Sequence, residues 1–274
     1  MPLRDLLVHL DPSRHCEARV KAAVALAARC EAHLTGLYVS PRLELPPFLS
    51  DQFAPAQLDD AFATVAFQRD QTQKIFEAAT GAANCEAEWI ELTGAAGALV
   101  PAQVRHVDMA ILGQIDPAEK LHGTDRALPE HVALGTGRPM LMVPYAGEFE
   151  SIGERILVAW NGSPQAARAV NDALPLLARA AAVTVLEIDP LAPDDTDGTD
   201  IGRHLQRHGI RAELVRVPGG GIDIADLLLS RAADASADLI VMGVFGHSRT
   251  REIILGGVSR HVLQHMIMPV LMSH

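Results

Sequence analysis

The chain has 274 residues, more than the roughly 100–200 of a usual single domain, so two domains of about half the length each are the first expectation. Lys and Arg number 23 against 34 Asp and Glu, a formal charge of −11. No basic run is dense enough to follow a phosphate backbone, which argues against nucleic acid and anionic membranes as partners. No apolar run approaches the roughly 20 residues of a membrane span, and the opening residues Met1 to Asp5 lack the apolar stretch of a secretory signal, so the cytoplasm is the expected location.

Hydrophobic residues make up 49% and aromatics only 4%. The apolar material is therefore mainly Ala, Val, Leu and Ile, which suits helices packed on parallel strands. In chain order, short β-branched runs near 5–10, 33–39, 86–92, 108–113 and 139–143 alternate with Ala-rich amphipathic stretches. A Pro-rich loop with Pro41, Pro46, Pro47 and Pro55 precedes a long helix near 56–80. Pro144, Gly147 and Gly153 mark a linker over 144–154. Strands follow near 155–160, 182–188, 211–217, 238–243 and 269–273, with an acidic loop over 189–200 and a short helix after the second of them. Alternating βα units predict an α/β chain of two tandem, doubly wound, five-stranded parallel-sheet domains, over 1–145 and 153–274.

The halves repeat one another. Leu6-Leu7-Val8-His9-Leu10-Asp11-Pro12-Ser13 aligns with Ile156-Leu157-Val158-Ala159-Trp160-Asn161-Gly162-Ser163, 150 residues later. Asp108 to Gly113 aligns with Asp238 to Gly243, and Pro139 to Met142 with Pro269 to Met272, both 130 residues later. The two short terminal runs, Pro139 to Val143 and Pro269 to Met272, are apolar and need cover, so they are expected to pair or pack across the repeat.

In open α/β sheets ligands sit beyond the carboxyl ends of the strands, which singles out the loop after each fourth strand. In the second half that loop reads Gly243-Val244-Phe245-Gly246, nine residues, then Gly256-Gly257-Val258-Ser259 opening a helix. Glycines let backbone pass close to a ligand, and a helix start offers free N–H groups to an anion, with the Ser259 hydroxyl as an added donor. A tight strand-to-loop turn is the other reading of Gly243 and Gly246.

The whole stretch from Asp238 to Met272 resembles the universal stress protein family, and the order of elements in both halves fits it. The resemblance implies the adenine nucleotide alpha hydrolase-like fold and a stress-response sensor or regulator that binds ATP, with Mg²⁺ on the phosphates. It also implies association through the last strand, here an intramolecular pseudo-dimer of the two halves; a further homodimer and the protein partner are left open. The implied contacts are Gly243, Gly246, Gly256, Gly257, Val258 and Ser259 for phosphates and ribose with Met242 nearby, and Asn161 and Ile188 for the nucleoside. Asn161 stands where the family commonly has Asp, and Gly257 where it commonly has a hydroxyl residue. Trp160 would stack on the base or block it.

The first half serves as a control. At the 130-residue offset, Asp116 replaces Gly246, Arg126 replaces Gly256, Ala127 replaces Gly257 and Pro129 replaces Ser259, while Gly113 survives. A carboxylate beside phosphates repels them and a proline has no N–H to give, so this half is not expected to bind ATP in the family's way. Asp11 reads as a helix cap.

Other features carry less. Cys16, Cys30 and Cys85 are odd in number without CxxC spacing, which argues against a disulfide framework and a zinc site. His204 with His208 and His261 with His265 are four apart on predicted helices, and read as solvated or packing residues because no third ligand is evident. Arg249 and Arg251 are within reach of a bound phosphate or simply solvated. No GxSxG, Walker lysine or catalytic carboxylate pair occurs, so no catalytic or metal residue is assigned and the chain is not expected to be an enzyme. The rival reading is a nucleotide-independent scaffold.

Overall fold

The computed structural model describes residues 2–42, 55–119, 125–149, 151–189, 199–244, 246–249 and 252–274. The first half runs β1 (Asp5–Leu10), α1 (Cys16–Cys30), β2 (His33–Ser40), α2 (Pro55–Ala82), β3 (Ala87–Thr93), α3 (Ala96–Val104), β4 (Met109–Gly113), α4 (Leu128–Gly135) and β5 (Met140–Val143). The second runs β6 (Arg155–Ala159), α5 (Pro164–Leu177), β7 (Ala182–Ile188), α6 (Thr199–Arg207), β8 (Ala212–Val217), α7 (Ile224–Asp234), β9 (Leu239–Gly243), β10 (Gly246–Arg249), β11 (Glu252–Leu255), α8 (Gly257–His265) and β12 (Val270–Ser273).

Ten strands form one sheet in the order β3-β2-β1-β4-β5-β12-β9-β6-β7-β8. Within this sheet all pairings inside each half are parallel. The seam between the halves is antiparallel, with Leu141 opposite Leu271 and Met140 opposite Met272. All four side chains are fully buried. Each such burial is worth about 1.5–3 kcal/mol, so the seam is a strong contact.

The sheet is covered on both faces, which is why β4, β5, β9 and β12 read as nearly unbroken apolar runs. One face packs residues of α1, α2, α5 and α6, among them Val20, Phe76, Val170 and Leu205. The other packs α3, α4, α7 and α8 through Val104, Val132, Leu228 and Val262. In each half the strand order reverses beside the first strand, between β1 and β4 and between β6 and β9, opening a crevice at the carboxyl ends.

Polar contacts also cross between halves. Arg29 and Arg179, 150 residues apart, each donate to the other's backbone carbonyl. Gln114 Nε2 donates to the carbonyls of Leu263 (2.9 Å) and Gln264 (3.2 Å) at the end of α8. Arg260 on α8 lies 3.5 Å from Glu130 on α4.

One element departs from the sequence reading. The nine-residue stretch after Gly246 is not a plain loop but an antiparallel hairpin, pairing Gly246 with Leu255 and Ser248 with Ile253. The sequence reason is the Glu252-Ile253-Ile254-Leu255 run, whose β-branched pair favours extended backbone.

Candidate functional site

The second half's crevice contains a cavity of about 250 Å3. Its floor is the carboxyl end of the sheet: Ala159 of β6, Leu186 and Ile188 of β7, Met242 and Gly243 of β9. Trp160, Asn161 and Ser163 wall it on one side, Ile224 and Leu228 of α7 and Val258 and Ser259 of α8 on the other. No charged side chain is among the described lining residues.

Each part is placed by local chemistry. Ser163 caps α5 by accepting from the Ala166 N–H (3.2 Å), with Pro164 at the first helical position. Asn161 Oδ1 accepts from the Ser163 N–H (3.1 Å), which fixes the turn out of β6 and leaves Asn161 at the mouth. Gly243 has a packing reason to be glycine: a Cβ there would come 2.5 Å from the Ala166 nitrogen and the Gln165 carbonyl carbon, so the start of α5 sits directly on the end of β9. Helix α8 begins at the N-cap Gly256 with no side-chain cap and no acidic residue in its first turn. The N–H groups of Gly257, Val258 and Ser259 accordingly have no acceptor among the described residues. Ser259 is 3% exposed, and its hydroxyl also lacks a partner among them. Gln165 Oε1, at the same cavity, is buried without a donor.

Six of the nine residues expected at the site therefore line one cavity: Asn161, Ile188, Met242, Gly243, Val258 and Ser259. Gly256 and Gly257 are not among its described lining, Gly256 capping α8 and Gly257 facing open space, while Gly246 pairs with Leu255 in the hairpin. Trp160 forms part of the wall and leaves the cavity open. The side chains of Arg249 and Arg251, and the acidic loop beyond Asp189, lie outside the described residues.

The first half is arranged differently at the same place. Asp11 is not a helix cap: α1 starts at Cys16 with His15 as N-cap, and Asp11 instead pairs with Arg19 at 2.8 Å while accepting from the Ser13 N–H (3.0 Å). Arg19 is 3% exposed and reaches under Gly113, where any Cβ would strike its guanidinium. Burial works to raise the Asp11 carboxyl, but the Arg19 guanidinium, helped by His9 and Ser13, holds it below the ordinary carboxylate range. Asp116, the counterpart of Gly246, is bound by the side chains of His15 (3.0 Å) and Arg14 and by the Ala118 N–H (2.8 Å). These contacts hold its carboxyl low.

Two groupings escaped the sequence reading. His261 Nε2 lies 2.8 Å from Asp226 Oδ1, with Asp223 beside them, so this histidine is paired rather than packed. Asp223 already caps α7 through the Ala225 and Asp226 N–H groups, and the cluster is exposed. The buried Arg19 had a readable signal: Cys16, Arg19, Val20 and Ala23 recur at helical spacing, placing a cation inside an apolar stripe. Cys16 and Cys30 are buried and free, and burial pushes both thiols up, which makes them poor nucleophiles.

Residues 153–274 match the model of the Universal stress protein family. No curated protein matches the chain by sequence. Among solved structures, a universal stress protein from Archaeoglobus fulgidus DSM 4304 superposes with a TM-score of 0.74 at 16% identity, covering 98% of this chain and 97% of its own. A protein from Pseudomonas aeruginosa UCBPP-PA14 assigned to the universal stress proteins gives 0.61 at 16% identity, covering 99% and 93%. Residues 153–274 thus match that family's model, and along its whole length the chain carries the fold of solved universal stress proteins.

Proposed function

We propose that the second half is a nucleotide sensor that binds ATP in the 250 Å3 cavity and changes its association with a partner when occupied. The observation that carries this reading is the set of donors without acceptors among the described residues at one end of the cavity: the Ser259 hydroxyl and the first N–H groups of α8. Such an uncapped helix start favours an anion by about 0.3–1 kcal/mol through its dipole, before any hydrogen bond is counted. Ile188, Trp160 and Met242 supply apolar surface for a base, and Asn161 a polar contact at the mouth. With no carboxylate among the described lining residues, a Mg²⁺ ion would be held by the phosphates and water. Among the described lining residues none is an Asp, Glu, His or Lys that could act as a base, and we read the site as one of binding rather than turnover.

A nucleotide-independent scaffold is the second reading. It is favoured by the cavity's size, below the roughly 300–1,000 Å3 of typical small-molecule sites. Isothermal titration of nucleotide-stripped protein with ATP and Mg²⁺, beside a Gly246→Asp variant that copies Asp116, separates them. Saturable heat lost in the variant supports the sensor; no heat at millimolar ATP supports the scaffold.

A further inference from the structure

The 150-residue repeat aligns Arg29 with Arg179 and Val24 with Leu174, and it aligns Pro2 and Arg4 with Ile152 and Glu154. The two arginines meet where the C-terminal ends of α1 and α5 approach each other, each donating to the other's carbonyl. The two sides of this meeting point can therefore be compared residue by residue, and they are not equivalent.

On the Arg29 side the linker completes the packing. Glu154 pairs with the Arg29 guanidinium, which also donates to the Gly153 carbonyl (3.1 Å). Ile152 is 3% exposed, and Phe149 packs against the same buried cluster, which includes Val24. A carboxylate for the cation and apolar side chains for the helix are both supplied by this one segment.

On the Arg179 side neither is supplied. Pro2, in the place of Ile152, is exposed, and Arg4, in the place of Glu154, has the opposite charge and turns to Glu31. Leu174 is half-buried where Val24 is buried. Arg179 makes no ion pair among the described residues: Nη1 donates to the Arg29 carbonyl, and Nε and Nη2, the side-on pair that a carboxylate takes in a bidentate contact, have no acceptor among them. Beside it lies a groove of about 420 Å3, walled by Leu3, Cys30, Leu174, Pro175 and Ala178. Arg179 and His208 are the described lining residues able to carry a positive charge, and no acidic residue is among them. The volume falls in the roughly 300–1,000 Å3 range of small-molecule sites.

We infer that this groove binds a small apolar monocarboxylic acid, aryl or alkyl, with its carboxylate on Arg179 and its body against Leu3, Leu174 and Pro175. The ligand does there what Glu154, Ile152 and Phe149 do on the other side. Its apolar body gains by leaving water, and the guanidinium fixes the end that carries the charge. The site lies at the amino ends of β1 and β6, away from both crevices, and shares no described lining residue with the proposed ATP cavity.

The test is isothermal titration of the full chain with 3-phenylpropanoate and octanoate as the aryl and alkyl probes and 3-phenylpropanamide as the uncharged control. It is run on wild type, Arg179→Gln, Arg179→Lys and Ala178→Trp, each checked for a native circular dichroism spectrum. Ala178 is exposed at the end of α5, so the tryptophan closes the groove without entering the core. About one acid per chain is expected to bind, roughly tenfold more weakly in Arg179→Gln, with partial recovery in Arg179→Lys and no measurable heat in Ala178→Trp. The amide is expected to bind about tenfold more weakly than the acid to wild type. Binding of either acid with this pattern supports the site, and the tighter of the two assigns the body as ring or chain. The site is overturned if neither acid binds at millimolar concentration, if the amide binds as tightly as the acid, or if binding survives both Arg179→Gln and Ala178→Trp.

Discussion

The two halves share one topology and spend charge in opposite ways at the same crevice. In the first, the place where strand, loop and helix converge is filled by the chain itself: Asp11 with Arg19, and Asp116 with Arg14 and His15. In the second, the corresponding positions are Asn161, Ala169 and Gly246; none is charged, and the helix start beyond them is left with free donors. A loop that has satisfied its own ions has little left for a charged ligand, whereas one that ends in bare N–H groups is incomplete without an anion or water. The difference was made without disturbing the frame, because the sheet and the antiparallel seam are common to both.

The largest effect should come from breaking the first half's buried pair. Arg19→Met leaves Asp11 beside an apolar core and is expected to cost about 3–5 kcal/mol in urea unfolding, since removing one member of a buried pair strands the other's charge. Replacing Ala169, its counterpart, by Ser should cost far less; equal losses would contradict the asymmetry.

The same half should also be acid-sensitive through His9. Burial, set against Asp11 and reinforced by Arg19, lowers this histidine from 6.5 to about 4. Between those values the unfolded chain binds the proton and the folded chain does not, so stability present above about pH 6.5 is lost as pH falls toward 4. The loss attributable to His9 is up to about 3 kcal/mol, the linkage value for a shift of that size, and should be absent in His9→Gln. Matching wild-type and variant profiles would show that His9 titrates normally.

Gly243→Ala should destabilise by about 1–3 kcal/mol, the range for overpacking, because the new methyl meets backbone of α5. Gly113→Ala meets the end of a side chain instead, so its main consequence should be displacement of Arg19. The smallest effect is a gain: at Gly257 a Cβ meets nothing within 4 Å, so Gly257→Ser should fold normally and tighten ATP binding by about 0.5–1.5 kcal/mol, one hydrogen bond, in a titration. A weaker ATP complex would place the phosphates elsewhere.

Much of this was legible in the residues. Both halves' strands follow from apolar runs bounded by Gly, Pro and polar turns, and the observed strand bounds fall within a residue or two of those expected. Six site residues converge because the chain repeats one topology, so a position after the first and fourth strands is a position at the crevice. What was not legible depends on side-chain direction across elements. Arg19 looks like an interrupted apolar stripe until its guanidinium is seen beneath Gly113, and Asp11 looks like a cap until α1 is seen to begin five residues later. The His261–Asp226 pair joins α8 to α7, which sequence spacing alone does not bring together.

The most direct test of the contrast between the halves is the number of ATP molecules held per chain, counted by native mass spectrometry with Mg²⁺ for wild type and for Gly246→Asp. One ATP per wild-type chain and none in the variant is the predicted result. Two per chain, or one that survives the substitution, would show that the first half also takes the nucleotide and would contradict the division of charge described above.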